Sequence, residues 1–255
     1  MNAAAAPLKL VVIGASGRMG RSLLQQLPRF PALRLHAAVV SPESRFLGRD
    51  SGELAGLPPS GVPMTAALEA ALSGAALAMD FSAAAAASGQ IQLCATAGVP
   101  LLLGTTGLGP GITGIVAEAA RRIPVLVAPN TSLGAAVLGD LVRQAAGALG
   151  MGYDISVRDI HHRDKRDAPS GTALALGAAV QEGSSGPRQV DYASVRGGDV
   201  VGQHEVLFLG EGESLRLSHN ATDRAVFARG ALRAGLWLVR QGPGSYQISD
   251  LLPEK

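Results

Sequence analysis

Short apolar strands and amphipathic helices alternate along the first half of the chain. The apolar run LKLVVI is followed by a glycine turn and by a helix that carries Leu23, Leu24 and Leu27. A second strand, LRLHAAVV, precedes a loop rich in glycine, serine and proline that extends to residue 63. Further predicted helices lie at 66–73, 83–97 and 111–121, and further strands at 76–82, 99–107 and 123–132. Uninterrupted apolar strands joined by helices are typical of a parallel sheet covered on both faces, so the pattern predicts an α/β domain.

The pattern changes after residue 132. A helix at 133–149, a strand at 153–162 and a helix at 171–181 are followed by strands at 191–198, 202–210 and 213–221. The close spacing of these last strands favours a mostly antiparallel sheet. The final helix, at 224–241, is amphipathic, and we expect it to return to the first domain. We therefore predict a first domain at 1–131, completed by 225–255, and a smaller second domain at 132–224.

Composition excludes several classes of protein. Hydrophobic residues make up 47% of the 255 residues, which argues against a disordered chain. The net charge is +2 and the basic residues are scattered among acidic ones, so we expect no nucleic-acid partner. No apolar run approaches the ~20 residues of a membrane span, and the N-terminus does not resemble a signal peptide. Cys94 is the single cysteine, and we expect a buried thiol in a cytoplasmic protein.

The turn after the first strand carries a nucleotide-binding pattern. Gly14, Gly17 and Gly20 have the spacing G-x-x-G-x-x-G, a variant of the dinucleotide fingerprint. Glycines let the backbone approach a pyrophosphate, whose charge the helix N-terminus stabilises. Glycine turns also serve merely to pack a helix against a strand, but the strand–helix context favours nucleotide binding. Arg18 could cover a phosphate or be an ordinary surface arginine.

The end of the second strand bears on which dinucleotide binds. An acid there commonly bonds the ribose hydroxyls of NAD. This chain has Val39, Val40 and Ser41, and no carboxylate before Glu43. Ser41 and Arg45 could instead favour the 2′-phosphate of NADPH, so NADPH is slightly preferred over NADH as the expected cofactor.

Two further segments follow strands of the same predicted sheet. GTTG covers 104–107 and APNTS covers 128–132, and both stand at carboxyl ends of strands, where open parallel sheets bind ligands. Their small residues, hydroxyls and amide could line the nicotinamide and its ribose. Each segment alone is more often a simple turn, but together they favour a cofactor cleft.

Several other enzyme classes lack their motifs here. The residues four positions after Tyr153, Tyr192 and Tyr246 are not lysines, which argues against a short-chain dehydrogenase. Neither a G-x-S-x-G elbow nor a phosphate loop ending in Gly-Lys-Ser/Thr occurs. His161 and His162 are adjacent on a predicted strand and would point to opposite faces, so we expect no metal site.

The densest group of polar side chains is HHRDKRDAPSGTA at 161–173. His161, His162 and Lys165 offer two imidazoles and an ammonium group. Ser170, Gly171 and Thr172 follow at the expected start of a helix, where backbone N–H groups and hydroxyls can hold a carboxylate. Asp167 is expected to order the turn or cap this helix, and the other charges are expected to be solvated. The segment suits a small anionic substrate, with more than one carboxylate, beside a proton donor.

This segment resembles the signature of the dihydrodipicolinate reductase family, His-His-x-x-Lys-x-Asp-Ala-Pro-Ser-Gly-Thr-Ala, at every fixed position. The resemblance covers most of the chain. Its other motifs, in family order, are IGASGRMGR, LGRDSGELAG, MDFS, LLLGTTG, APNTS, SVRGGDVVGQHEVLF, GESLRLSH and DRAVFARGALRAGLWL.

The resemblance implies a Rossmann-type domain, a substrate domain whose mixed sheet supports a homotetramer, and NADH or NADPH as hydride donor. It implies that His161 and Lys165 handle protons. The implied substrate contacts are His162, Ser170, Gly171, Thr172 and Arg224. The implied cofactor contacts are Gly14, Ala15, Ser16, Gly17, Arg18, Met19, Gly104, Thr105, Thr106, Ala128, Pro129, Asn130 and Thr131, beside Ser41 and Arg45 from the strand-end argument.

Two positions depart from the family pattern. Val40 stands where many members have an acid, which leaves the cofactor preference open. Thr131 replaces a larger residue after the asparagine, which would loosen the nicotinamide pocket. The implied reaction is reduction of the cyclic imine derived from 4-hydroxy-tetrahydrodipicolinate, on the diaminopimelate route to lysine. The alternatives are a non-catalytic dinucleotide-binding sensor and a relative that reduces another cyclic imino acid.

Overall fold

The structure, a computed structural model, describes residues 6–253 of the chain. The strands are β1 Leu8–Ile13, β2 Leu33–Val39, β3 Met64–Thr65, β4 Leu77–Asp80, β5 Leu101–Leu103, β6 Pro124–Val127, β7 Asp154–His161, β8 Asp191–Arg196, β9 Gly202–Gly210, β10 Glu213–Ala221 and β11 Gly244–Gln247. The α-helices are α1 Arg18–Gln26, α2 Ser51–Leu54, α3 Leu68–Leu72, α4 Ala84–Ala97, α5 Ile112–Ala119, α6 Leu133–Leu149, α7 Gly171–Gly183 and α8 Ala225–Leu238.

These elements form two units. One contains the described residues up to Thr131 together with Phe227–Pro253, and the other contains Ser132–Val226. No helix within residues 6–253 is long and apolar enough to cross a membrane.

The first unit is built on a seven-stranded parallel sheet in the order β11-β6-β5-β4-β1-β2-β3. Successive residues of β1 point to opposite faces and enter two separate cores. Leu10 and Val12 pack in one core with residues of α8, while Val11 and Ile13 pack in the other with Ile91 of α4. Because both faces are buried, the strands carry no polar alternation, as the sequence pattern predicts.

Cys94 lies in the second of these cores and is fully buried. Burial, with a smaller contribution from the charge of Asp80, raises the pKa of its thiol to about 12. The thiol is therefore protonated and unreactive at neutral pH.

The second unit has a four-stranded sheet in the order β10-β9-β7-β8. β9 pairs antiparallel with both β10 and β7, whereas β8 runs parallel to β7. Helices α6 and α7 cover one face, where Leu138 and Leu176 pack against Val157, Val206 and Phe208. The predicted fold class, a Rossmann-type parallel sheet with a smaller mixed-sheet unit, is confirmed.

The structure corrects three details of the sequence prediction. The stretch expected to be loop up to residue 63 contains α2, which has only one turn. Asp50 caps its N-terminus, and the Asp50 carboxylate accepts hydrogen bonds from the N–H groups of Gly52 and Glu53. The two-residue strand β3, Met64–Thr65, falls between the predicted loop, which ends at 63, and the predicted helix, which begins at 66. Strand β11, with the sequence GSYQ, lies at the edge of the sheet beside β6. None of these elements is long or apolar enough to show a periodic pattern of hydrophobic residues in the sequence.

Candidate active site

The carboxyl ends of β1, β4, β5 and β6 bring together the segments predicted to bind a dinucleotide. β1 lies beside β4 at the centre of the sheet, where the strand order reverses and open α/β sheets bind ligands. Gly14 follows β1 with φ +78°, and a Cβ atom there would lie 2.7 Å from the carbonyl oxygen of Phe81 after β4. Only glycine fits this turn, which holds the two strand ends in contact.

The first turn of α1 is open to an anion. Gly17 precedes the helix and offers no capping side chain, so the first N–H groups of α1 are not bonded by one. Arg18, the first residue of the helix, is exposed. Ser16 is half-buried and its carbonyl accepts a hydrogen bond from Nε of Arg21 at 2.9 Å. Backbone N–H groups at a helix N-terminus are a common site for a pyrophosphate, so these residues fit a dinucleotide.

The other residues predicted around this turn differ in exposure. Ala15 is fully buried, and its N–H bonds the carbonyl of Val39 on β2 at 3.0 Å. Met19 is half-buried and packs on the same core as α8. Ala15 and Met19 therefore help to fix the shape of the turn.

The segments after β5 and β6 are held by buried hydrogen bonds. Gly104 packs against the Phe81 ring, which leaves no room for a side chain. Thr105 is buried with its hydroxyl 3.4 Å from the carboxylate of Asp80, whereas Thr106 is exposed. Ala128 is buried, Pro129 is exposed and Asn130 is half-buried.

Thr131, which is smaller than the residue in the family pattern, makes a buried contact of its own. Its hydroxyl donates a hydrogen bond of 2.7 Å to the carbonyl of Phe227 in α8, and the residue is buried. This bond ties the end of the β6 segment to the returning helix.

Asp80, at the end of β4, is a fully buried acid that the sequence argument missed. Its Oδ1 accepts a hydrogen bond from the N–H of Ser82, while its Oδ2 has no partner within the described residues. Burial raises the pKa of Asp80, although hydrogen bonds from Ser82 and Thr105 oppose the shift.

Three arginines surround the ring of Phe46, two from the loop after β2 and one from α1. The guanidinium carbons of Arg21, Arg45 and Arg49 lie 5.1, 4.8 and 5.9 Å from the centre of the Phe46 ring. None of the three takes part in an ion pair within residues 6–253. Val40 is buried, and Ser41 is exposed at the start of this loop. We refer to Arg21, Arg45, Phe46 and Arg49 as the arginine cluster.

In the second unit, buried polar side chains of β7 lie next to the apolar core, on the same face of the sheet. Residues Ile155, Val157, Asp159 and His161 of β7 are all buried on the face that the helices cover. Asp159 pairs with Ser194 on β8 and with His204 on β9, so the sheet register places these side chains side by side.

His161 is bonded to the carboxylate of Asp159. Its Nδ1 lies 2.9 Å from Oδ2 of Asp159, which also accepts a hydrogen bond from Arg196 at 2.9 Å, while Ser194 donates to Oδ1. Burial would raise the pKa of Asp159, but the bonds from Ser194, Arg196 and His161 outweigh it and the pKa is lowered. The pKa of His161 is lowered by burial first and by the charge of Lys165, against the effect of Asp159. His161 is therefore largely neutral at neutral pH.

Lys165 lies in the turn after β7. Its Nζ donates to both carboxylate oxygens of Asp167 at 2.8 Å, and 23% of its side chain is exposed. Asp167 was expected to order the turn or cap α7, and its bond to Lys165 and the bond from Arg196 to its carbonyl order the turn. The cap prediction is wrong, because Ser170 caps α7: its hydroxyl accepts the N–H of Ala173 at 3.2 Å.

The start of α7 matches the prediction of a helix N-terminus at Gly171. The hydroxyl of Ser170 also lies 3.1 Å from Nε2 of His204, so it is held in place from both sides. Gly171 is exposed, and a Cβ atom there would meet nothing within 4 Å. Thr172 is half-buried in the same first turn.

The remaining predicted substrate contacts are more exposed. His162 is half-buried just after β7, and its carbonyl accepts the N–H of Lys165 at 3.1 Å. Arg224 lies exposed in the turn before α8, and its side chain makes no hydrogen bond or ion pair within the described residues. The structure thus brings His161, Lys165 and the start of α7 together around Asp159, Arg196 and His204, and it records no contact from Arg224 to this group.

Asp159, Ser194, Arg196 and His204 were missed in the sequence argument. Asp159 precedes His161 by two positions, and this strand spacing would have placed both on one face. His204 stands in a strand dominated by apolar residues, GQHEVLFLG, and Arg196 and Ser194 depend on a pairing between distant segments.

Comparison with known proteins identifies relatives along nearly the whole chain. Residues 8–131 match the family described as "Dihydrodipicolinate reductase, N-terminus", and residues 134–252 match "Dihydrodipicolinate reductase, C-terminus". A 4-hydroxy-tetrahydrodipicolinate reductase of Anaeromyxobacter dehalogenans is 44% identical over 96% of this chain and 97% of its own length. The enzyme of the same name from Thiobacillus denitrificans is 43% identical over 96% of this chain and 98% of its own length.

Two solved structures share the fold at lower identity. A dipicolinate-bound dihydrodipicolinate reductase from Paenisporosarcina sp. TG-14 superposes with a TM-score of 0.78 at 22% identity, covering 96% of this chain and all of the other. An amine dehydrogenase from Mycobacterium smegmatis superposes with a TM-score of 0.70 at 14% identity, covering 97% and 96% of the two chains.

Proposed function

The chain belongs to the dihydrodipicolinate reductase family, and from this membership we propose that it is an NAD(P)H-dependent oxidoreductase acting on 4-hydroxy-tetrahydrodipicolinate. The reaction reduces the cyclic imine that forms when this compound loses water, and its product, tetrahydrodipicolinate, lies on the diaminopimelate route to lysine. The observation that carries the proposal for this chain is the position of His161 and Lys165 beside the first turn of α7, in one polar cluster.

The start of α7 is suited to hold a carboxylate of the substrate. Helix N-termini attract anions, and the N–H groups of a helix's first turn have no carbonyl partners within the helix. Gly171 leaves open space in front of this turn. We assign one ring carboxylate to Gly171 and Thr172, with Ser170 ordering the turn. His162 and Arg224 remain predicted contacts of the dicarboxylate.

The proton that completes the reduction comes from this cluster. A dihydronicotinamide held at the turn after β1 would supply the hydride for carbon four of the conjugated imine, and carbon three of the substrate would then need a proton from this cluster. A dianionic substrate beside His161 raises the pKa of the imidazole, because a nearby opposite charge favours the charged form. Substrate binding therefore favours the protonated form of His161 as the donor, and Lys165 stabilises the negative charge that develops on the ring or donates a proton itself.

NADPH is the proposed cofactor, although NADH also fits the turn after β1. Arg45, Phe46 and Arg49 of the arginine cluster lie in the loop after β2, the strand end at which dinucleotide-binding sheets distinguish the two cofactors, and Arg21 reaches the same ring from α1. Three guanidinium groups that form no ion pair within residues 6–253 suit a doubly charged 2′-phosphate. Ser41 is exposed in the same loop and offers a hydroxyl.

The expected homotetramer and cytoplasmic location stay predictions. One face of the four-stranded sheet carries Val195 and Leu209, which are 48% and 42% exposed, and is not covered by α6 or α7. This face supports association with other copies, because exposed apolar side chains on an uncovered sheet are common at interfaces. Sedimentation of the purified chain would measure the assembly.

The test of the proposed function is the loss of absorbance at 340 nm when the chain is mixed with NADPH or NADH and the product of dihydrodipicolinate synthase. His161→Ala and Lys165→Ala should each lower turnover by about 10²–10⁴-fold, the usual contribution of a positioned acid. Dinucleotide affinity should change little, since neither residue lies near the glycine turn in sequence or in the same unit.

The alternatives give different results. A dinucleotide-binding sensor would bind the cofactor without consuming it, and a reductase of another cyclic imino acid would be active only on other members of a substrate panel. Near-wild-type turnover in both variants would remove His161 and Lys165 from the reaction.

A further inference from the structure

We propose that Asp159, braced by Ser194 and Arg196, is a positioning residue that fixes the tautomer and orientation of His161, so that Nε2 is the atom that exchanges a proton with the substrate. The inference rests on the proposed function for its kinetic consequences. Its structural part, the coupling of Asp159 to His161, can be tested without substrate.

The contact between Asp159 and His161 determines which ring nitrogen of the neutral imidazole carries the hydrogen. Asp159 is 1% exposed and its pKa is lowered, so the carboxylate is ionised and can only accept hydrogen bonds. Its Oδ2 lies 2.9 Å from Nδ1 of His161. Nδ1 must therefore carry a hydrogen, and in the neutral ring Nε2 presents its lone pair.

Asp159 is itself held from β8. The hydroxyl of Ser194 donates to Oδ1 and the guanidinium of Arg196 donates to Oδ2. Both residues are brought to the carboxylate by the parallel register of β7 and β8, in which Asp159 pairs with Ser194 and His161 pairs with Arg196. Because both oxygens of the Asp159 carboxylate are bonded from β8, the carboxylate cannot rotate away from His161. It therefore sets the orientation of the imidazole.

The other nitrogen of His161 lies beside Gly202 of β9. A Cβ atom on Gly202 would lie 3.2 Å from Nε2, so a side chain at this position would crowd the nitrogen. Groups that face His161 from neighbouring elements are Lys165 after β7, Arg196 on β8 and His204 on β9. Both cations lower the pKa of His161, and Asp159 is the carboxylate that raises it.

Asp159 thus has a second effect beyond orientation. When the dianionic substrate binds and Nε2 takes up a proton, the resulting imidazolium lies between two cations. The buried carboxylate stabilises this charged ring, as the buried acid does in a Ser-His-Asp triad. Without it, protonated His161 would be less populated at a given pH.

Two variants separate charge from geometry. Asp159→Asn can keep an acceptor toward His161 and Arg196 but removes the charge, so the alkaline limb of the kcat profile should move to lower pH. Asp159→Ala removes the acceptor as well, and kcat should fall about 10- to 100-fold at every pH, with KM for the substrate and affinity for NADPH changed less than about threefold.

Ser194→Ala is a milder variant that removes one brace without touching His161. It should lower kcat by a smaller factor than Asp159→Ala, because the carboxylate keeps its bond from Arg196, and it serves if Asp159→Ala does not fold. Asp154→Asn, an exposed acid at the start of the same strand, is the matched control for the loss of one negative charge and should leave kcat and the pH profile unchanged.

The substrate-free readout is the titration of His161 by NMR, assigned with a His161→Gln variant. Asp159→Asn should lower the pKa of His161 relative to the parent chain. An unchanged titration, together with kcat within twofold of the parent in folded Asp159→Asn and Ser194→Ala, would overturn the proposal. If the parent chain reduces no imine, the proposed function fails, whereas a titration that responds to Asp159 still supports the coupling.

Discussion

The imidazoles of His161 and His204 meet edge to face, with ring centroids 5.0 Å apart and planes at 69°. His204 in turn pairs across β9 and β10 with His219. Each of these two histidines reaches the capping serine of a helix: His204 bonds Ser170 before α7, and His219 bonds Ser132 before α6 at 3.2 Å. A row of imidazoles thus connects the proton-transfer cluster to the N-termini of both helices of this unit.

This row makes the stability of the protein depend on pH. Burial, and after it the charge of His161, lowers the pKa of His204 from 6.5 to about 4. Because the unfolded chain then binds more protons than the folded chain between these values, the free energy of unfolding rises with pH in this window. The contribution of His204 is fully present above about pH 6.5 and is lost as the pH falls through about 4, a change of about 3 kcal/mol for this difference in pKa.

Urea unfolding at several pH values between 4 and 7 measures this dependence. His204→Gln keeps a polar partner for Ser170 but does not titrate, so its slope against pH should be shallower than that of the parent. His36→Gln, a partly exposed histidine of the other unit, controls for the loss of an imidazole. Equal slopes in His204→Gln and the parent would contradict the prediction.

A bulky side chain at Gly171 should affect substrate binding and not folding. A Cβ atom at Gly171 would meet nothing within 4 Å, so the start of the Gly171→Leu side chain fits without moving the helix. The leucine would occupy the region in front of the first turn of α7, where we assign a carboxylate. KM for the substrate should rise at least about tenfold, the equivalent of ~1.4 kcal/mol.

The control for Gly171→Leu is the same variant's melting temperature and its affinity for NADPH, both of which should stay close to those of the parent. A folded variant with an unchanged KM would remove the start of α7 from the substrate site.

The sequence predicts most of the elements because their patterns are local. β9 and β10 occupy the predicted ranges 202–210 and 213–221, and α6 occupies the predicted 133–149. β11 is different: GSYQ has no apolar period, and its strand conformation comes from pairing with the distant β6. The parallel direction of β8 likewise depends on the connection through α7, which spacing between strands does not reveal.

The polar cluster was predictable only in part for the same reason. His161, Lys165 and Ser170 are neighbours in the sequence, and their chemistry can be inferred from one segment. Asp159 was within reach of a period-two argument on β7. Arg196 and His204 reach His161 through the register of three strands, and register is a property of the folded sheet.

Gly20 and Gly89 offer a matched pair for the packing of the nucleotide turn. Both are glycines within helices, but a Cβ atom on Gly20 would lie 2.3 Å from the carbonyl oxygen of Gly14, whereas one on Gly89 meets nothing within 4 Å. Gly20→Ala forces α1 away from β1 and should lower stability by at least about 2 kcal/mol, as overpacking in a core does. Gly89→Ala should raise stability by about 0.5–1 kcal/mol, since alanine loses less entropy in a helix.

Thermal and urea unfolding of the two variants measure this difference. Gly20→Ala should also weaken NADPH binding, because the turn and the start of α1 move with the helix. Equal stability of Gly20→Ala and Gly89→Ala would show that α1 adapts without cost, contrary to the contact geometry.

The arginine cluster predicts which cofactor the chain prefers. The three guanidinium groups around the Phe46 ring repel one another. Their carbon atoms lie 4.8–5.9 Å from the centre of the ring, and none of the three has a carboxylate partner within residues 6–253. A 2′-phosphate would relieve this repulsion, whereas the neutral 2′-hydroxyl of NADH would not. Arg21 also bonds the carbonyl of Ser16, so its replacement would disturb the turn itself. Arg45 and Arg49 are the cleaner positions to change.

Arg45→Ala and Arg49→Ala should each raise KM for NADPH at least about tenfold, since the ~1.5–3 kcal/mol of a hydrogen bond to a charged group exceeds the ~1.4 kcal/mol of a tenfold change, and should leave KM for NADH within about twofold. Raising the salt concentration should weaken NADPH binding in the parent more than in either variant, because screening acts on the same charges. Arg34→Ala, an exposed arginine near the start of β2 and outside the arginine cluster, controls for the loss of one positive charge and should change neither value. If both cluster variants change the two KM values equally, the arginines serve only to pack the loop on Phe46, and the preference must be set elsewhere.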